Sequence, residues 1–89
     1  MASVARQHDL VLVDFWAPWC GPCRTMMPVV EQIEKKYDVH VVRINVDQRP
    51  ELAREYGVRG IPTFLIFKDG QLVGREVGAV PMSKLTGHF

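Results

Sequence analysis

Two cysteines, Cys20 and Cys23, are the only ones in the chain, and they sit three residues apart in Trp19-Cys20-Gly21-Pro22-Cys23. At positions i and i+3 of a first helical turn, two sulfurs share one face and come within disulfide reach. Oxidation closes so small a ring that it removes little chain entropy, so such a bond is easy to open again. The leading cysteine stands where backbone N–H groups lack partners and the positive end of the helix dipole stabilises an anion. Cys20 is therefore the expected thiolate nucleophile. Pro22 lacks an N–H and presets φ for a helix start, and Gly21 keeps bulk away from the sulfur, so the pair reads as stiff and accessible. The chemistry is thiol–disulfide exchange: Cys20 attacks a substrate disulfide, a mixed disulfide forms, and Cys23 displaces it to leave a Cys20–Cys23 bridge.

Two plainer uses of the pair compete with this one. A structural disulfide is disfavoured because a short bridge adds little stability. Zinc requires four ligands, and beyond the two cysteines only His8, His40 and His88 are available, scattered through the chain with one near each end. No metal site is expected. The pair also follows directly on a strand and opens a helix, and in that βαβ setting such a motif reads as redox-active.

A third group belongs to the same chemistry. Strand alternation puts Asp14 on one face with Leu10, Leu12 and Trp16, where a carboxylate is desolvated. Burial raises a carboxyl pKa, and an acid titrating near neutrality just upstream of the dithiol could hold or accept the proton of Cys23. Asp14 is the candidate general acid/base for the resolving cysteine. The competing reading is a static ion pair with Arg43, which shares a strand face with Val41 and Asn45.

These groups need a scaffold, and the hydrophobic pattern supplies one. Leu10 to Trp16 is apolar at nearly every position, as in a strand buried on both faces, so it should be central and parallel. Pro22 to Lys36 carries apolar residues at Met26, Val30 and Ile33, continuing to Tyr37, with Met27 and Val29 widening the buried stripe. Pro28 falls inside this helix and should kink it. Val39 to Val46 is a second β-branched run. After it, Pro50 starts a short helix that Gly57 stops. Thr63 to Lys68, then Asp69-Gly70, then Gln71 to Gly78 reads as a hairpin. Pro81 to Phe89 makes a terminal helix of barely two turns, weakened by Gly87. The class is α/β with a mixed sheet, and residues 1–89 read as one domain.

Composition excludes several functions. The 89 residues are 47% hydrophobic and 24% charged, with a net charge of +1 whose signs are interspersed along the chain. That argues against nucleic acid or an anionic membrane as the main partner. The longest apolar run, Leu10 to Ala17, is interrupted by Asp14 and falls well short of the ~20 residues a membrane span needs. Met1 to Asp9 is polar and has no signal-peptide pattern, so the cytoplasm is the expected compartment.

With these residues in place, the sequence closely resembles the thioredoxin family from about Val11 to Ala79. The resemblance is carried by Val13-Asp14-Phe15-Trp16-Ala17-Pro18-Trp19-Cys20-Gly21-Pro22-Cys23, Asn45-Val46-Asp47, Tyr56-Gly57-Val58-Arg59-Gly60-Ile61-Pro62-Thr63 and Val77-Gly78-Ala79. It implies a thioredoxin-like sheet of about four strands flanked by helices, a cis peptide before Pro62, and protein-disulfide reductase activity with no bound cofactor beyond the redox-active disulfide. It also implies protein disulfides as substrates and recycling by a thioredoxin reductase, usually a flavoenzyme drawing on NADPH. By the same resemblance the Ile61 backbone faces the dithiol and pairs with an extended substrate segment. Trp19, Gly21, Pro22, Ile61, Pro62, Val77, Gly78 and Ala79 form the docking patch around the sulfurs. Trp16 packs beside Asp14 as structural support, together with Pro28 and Arg43. The alternative is a binding module, or a truncated form, that keeps the patch but has lost efficient turnover.

The chain also departs from the family pattern. Thioredoxins usually have a strand and a full helix before the strand at Leu10, and here Met1 to Asp9 can supply only a helix remnant. Lys84 to Phe89 stands where a longer amphipathic helix is usual. The strand at Val39 to Val46 is then expected to be an exposed edge, giving reduced stability, a weak dimer in place of a monomer, or both. Arg43 replaces the more usual lysine, and an arginine beside Asp14 does not titrate.

Overall fold

A computed structural model of the chain describes residue 4 and residues 8–89. The helix remnant expected in Met1 to Asp9 lies largely outside the described residues. The elements are β1 (Leu10–Trp16), α1 (Gly21–Lys36), β2 (His40–Asn45), α2 (Pro50–Glu55), β3 (Thr63–Lys68), β4 (Gln71–Val77) and α3 (Met82–Thr86). The strands form one sheet in the order β2-β1-β3-β4. β1 pairs parallel with β2 and antiparallel with β3, and β3 pairs antiparallel with β4. This is the mixed α/β sheet of the thioredoxin-like fold. The central placing expected of β1 holds, although only one of its two neighbours is parallel.

Alternation along β1 divides the core in two. Val11, Val13 and Phe15 face one side with Ile44, Leu65 and Phe67, where Leu52, Ala53 and Tyr56 of the α2 segment pack. Leu12 faces the other side with Phe64 and Ile66, beneath Met26, Val30 and Ile33 of α1 and Leu85 of α3. A sheet apolar on both faces needs cover on both, which is why the two runs in β1 and β3 are nearly continuous. Asp14 shares the α1 side with Leu12, so a carboxyl is placed under a helix.

The buried stripe of α1 is narrower than its spacing implied. Cys23, Met26, Val30 and Ile33 are buried, Val29 is partly covered, and Met27 and Tyr37 are exposed. A 16-residue helix lying on a flat sheet presents about one face, and Met27 falls at its margin. Pro28 lies inside this helix, as expected, and removes one backbone donor from its ladder.

The β3–β4 connection has the geometry its residues require. Asp69 and Gly70 take φ of 53° and 82°, the left-handed pair that lets a two-residue turn follow strand twist. The terminal helix is shorter than its sequence span implied, at five residues. His88 beyond it bonds Glu76 of β4 through Nε2 at 2.7 Å. Among the described residues, β2 has a strand on one side only, which makes it an edge of the sheet.

Candidate active site

β1 delivers the chain to the top of the sheet at Trp16, and the turn that follows is closed by the Cys20 N–H donating to the Ala17 carbonyl at 3.1 Å. Cys20 is the N-cap of α1, with φ −86° and ψ 110°, and Gly21 and Pro22 begin the helix proper. Its sulfur fills the capping role that an oxygen usually fills: the Cys23 N–H donates to Cys20 Sγ at 3.1 Å. A free helix donor thus points at the sulfur expected to carry negative charge. Cys20 and Cys23 are joined as a disulfide, with Cα atoms 5.2 Å apart. In this oxidised state the residues are buried, 4% and 5% exposed. The accessibility expected from Gly21 is therefore limited, and the two cysteines are distinguished by position in the helix, not by exposure.

A second segment meets the dithiol from β3. The Ile61-Pro62 peptide is cis, and the Ile61 carbonyl oxygen lies 3.7 Å from Cys20 Sγ. Pro62 itself is buried, so its side chain belongs to the core while Ile61 stays half-exposed. The Gly78 N–H donates to the Pro62 carbonyl at 2.8 Å, with Gly78 at φ 92°, a conformation suited to glycine. That bond brings Val77, Gly78 and Ala79 toward the same end of the sheet. Val77 and Ala79 are exposed, as are Gly21 and Pro22. A shallow groove lined by Trp19, Val46, Ala53, Val58, Arg59, Gly60 and Ile61 runs beside the disulfide.

Trp19 is 66% exposed, a large apolar ring held in solvent. Its orientation is fixed by Asp47, whose Oδ2 accepts from the indole Nε1 at 2.8 Å. Asp47 is held in turn, its N–H donating to Asn45 Oδ1 at 2.9 Å. Sequence reasoning placed Asp47 only within a motif and missed this role. The available signal was an exposed tryptophan, whose N–H seeks a partner wherever the ring is held still. Arg24 was also passed over: its Nη1 donates to the Pro18 carbonyl at 3.2 Å, across the turn that carries Trp19.

Asp14 is 8% exposed. It lines a cavity of about 70 Å³ with Trp16, Cys23, Met27, Val30, Glu31 and Arg43. Trp16 and Cys23 thus border the same space as the carboxyl. Burial pushes the Asp14 pKa up from 3.8 to about 6, against an opposing pull from the Arg43 guanidinium. The static Asp14–Arg43 ion pair is not formed. Arg43 stands beside Asp14 in the sheet register, but its Nη2 donates to Glu34 Oε1 at 3.0 Å. A half-exposed guanidinium keeps more of its hydration at the surface carboxylate than it would beside a buried one. Among the described residues, no cluster of three or more side chains could hold a metal ion.

The family model for thioredoxin matches residues 1–88. The chain belongs to the thioredoxin family. It is similar to thioredoxin 1 of Synechococcus elongatus, 58% identical over 77 residues that cover 84% of this chain and 72% of the relative. The thioredoxin of Porphyra purpurea is 57% identical over 81 residues, covering 88% and 76% of the two chains. Among solved structures, a point mutant of the thioredoxin from Halobacterium salinarum superposes with a TM-score of 0.90 at 43% identity, covering 97% of this chain and 76% of that one. Oxidised mitochondrial thioredoxin 3 of Saccharomyces cerevisiae superposes at 0.86 with 40% identity, covering 97% and 82%. The thioredoxin fold and the Cys20–Cys23 pair make this chain a thiol–disulfide oxidoreductase of the protein-disulfide reductase type. Its redox centre is the intrinsic disulfide, and its partners are disulfide substrates and a thioredoxin reductase. No helix among the described residues is long and apolar enough to cross a membrane.

Proposed function

We propose that Cys20 is the attacking thiolate, Cys23 the resolving thiol and Asp14 the group that takes and returns the Cys23 proton, in a single domain spanning residues 1–89. The observation that carries this reading is the capping bond from the Cys23 N–H to Cys20 Sγ, which directs a helix-start donor at one sulfur of the pair. The Cys20 thiolate attacks one sulfur of a substrate disulfide, and the other substrate sulfur leaves as a thiolate. Asp14 then accepts the proton of Cys23, whose sulfur attacks Cys20 Sγ. The Cys20–Cys23 bond forms as the second substrate sulfur departs, so two electrons pass to the substrate. Asp14 and Cys23 both line one cavity of about 70 Å³, more than the roughly 10–15 Å³ that a single water needs, so there is room for the proton to pass through water.

Substrate docks on Trp19, Gly21, Pro22, Ile61, Val77, Gly78 and Ala79, beside the buried Pro62. The Ile61 backbone pairs with an extended segment of the partner, a mode that tolerates varied sequences because the main chain supplies the bonds. Trp16, Pro28 and Arg43 support the site. The oxidised protein is returned to the dithiol by a reductase of the NADPH-dependent flavoenzyme kind, and the working compartment is the cytoplasm, where the thiol pool is kept reduced. Neither nucleic acid nor membrane is a partner, as the interspersed charges favour. The chain is a monomer or a weak dimer that forms through the β2 edge, which among the described residues has a strand on one side only.

Trapping tests the assignment. Cys23→Ser should accumulate a mixed disulfide between Cys20 and a protein substrate, seen by mass spectrometry, and Cys20→Ser should trap none. Equal trapping by both variants would reverse or dissolve the roles.

A further inference from the structure

The cavity beside Asp14 is bordered along α1 by Cys23, Met27, Val30 and Glu31, a ridge that follows the i, i+4, i+7 rise of one helix face. Glu34, the next residue of that ridge, lies one turn beyond Val30 and holds Arg43. On the sheet side, Arg43 is the direct neighbour of Asp14 across the parallel β1–β2 pair, and adjacent strands lie about 4.8 Å apart. The guanidinium therefore has two carboxylates in reach. One is Asp14, buried, and the other is Glu34, 43% exposed and bonded to it at 3.0 Å.

We propose that Glu34 is a positioning residue for the exchange reaction: by holding the Arg43 guanidinium, it keeps that cation from pairing with Asp14 and leaves Asp14 free to take and return the Cys23 proton. This rests on the Asp14 role proposed above. The groups facing Asp14 are Cys23 and Glu31 from α1 and Arg43 from β2, while its β3 neighbour is the apolar Phe64. Arg43 in turn is shared between Glu34 and the cavity that Glu31 and Asp14 also line. The Arg43 bond holds the Glu34 carboxyl below its ordinary range, with His40 adding to the effect, so the clamp stays charged across the pH range in which Asp14 titrates.

The test is a carboxyl-carbon NMR titration of Asp14 in the oxidised protein, where the cysteines are bonded and cannot titrate. Glu34→Gln should lower the Asp14 midpoint by about half a pH unit, a modest shift because the pair is partly in water. Glu34 also carries charge of its own, so the measurement is repeated with Arg43→Gln present. The proposal requires the drop to shrink or vanish in that background, and Glu34→Asp to restore most of the wild-type midpoint. An unchanged midpoint in Glu34→Gln overturns it, as does an equal shift with and without Arg43, which would make Glu34 a bare charge. The pH profile of mixed-disulfide resolution then separates this idea from the one beneath it. If the profile follows the carboxyl midpoint, both stand. A midpoint that moves while the profile stays put overturns the proton role of Asp14 and leaves only the three-residue coupling.

Discussion

The Ile61 carbonyl oxygen lies 3.7 Å from Cys20 Sγ, although 41 residues separate the two in sequence. A backbone acceptor and half-exposed side chain from the start of β3 thus stand against the sulfur at the start of α1. An incoming disulfide has to approach both together. Substitutions that keep Cys20 intact but disturb this neighbourhood should therefore act on protein substrates more than on small ones.

Trp19 and Asp47 allow that difference to be measured. Removing the acceptor of the indole N–H with Asp47→Ala frees the ring without touching the dithiol. The expected result is a loss of about threefold to tenfold in kcat/KM for a protein disulfide, the net scale of one ordinary hydrogen bond, because this one is exposed to water. Reduction of a small disulfide should be nearly unchanged. Stopped-flow rates with both substrates check this.

The buried carboxyl makes the protein less stable at neutral pH. Between 3.8 and about 6, the unfolded chain ionises Asp14 while the folded chain resists, so the folded state binds more protons and stability falls as pH rises. The shift corresponds to roughly 3 kcal/mol at most. Asp14→Asn should therefore stabilise the oxidised protein by about 1–3 kcal/mol at pH 7, a gain that fades toward pH 4. Urea unfolding at the two pH values measures it.

The same variant should lose activity while gaining stability. Without a group to take the Cys23 proton, resolution of the mixed disulfide should slow by at least about tenfold near neutrality. The step in its pH profile near 6 should disappear. Single-turnover kinetics across pH would show both changes, and an unaltered profile would remove Asp14 from the mechanism.

Leu12 offers a control for the core. It is fully buried between the sheet and α1, so Leu12→Ala should cost about 2–5 kcal/mol, with a larger loss if the site cannot collapse. Urea unfolding of the variant at pH 7 gives the value.

What the sequence made legible follows from how local each signal was. Leu10–Trp16 and Thr63–Lys68 coincide with their apolar runs because strands covered on both faces need apolar residues at nearly every position. The Asp69-Gly70 turn and the dithiol at the start of α1 were equally plain, since each is fixed by a few adjacent residues. Met27 was misjudged because a helical stripe has margins that only the opposing sheet defines. The contacts Trp19–Asp47 and Arg43–Glu34 had no periodic signature: each joins two elements through exposed polar tips, and only the assembled fold brings them together. Asp14 lay between these cases. Its burial could be read from alternation along β1, but that Arg43 would bond Glu34 and not Asp14 could not.

The central claim concerns the sulfur at the helix cap, and alkylation of the reduced protein by iodoacetamide tests it most directly. With modification read at each cysteine across pH, Cys20 should react first, its rate reaching half-maximum below the ~8.5 of an ordinary thiol, while Cys23 stays slow. Equal rates at the two cysteines, each rising with an ordinary thiol titration, would contradict the account.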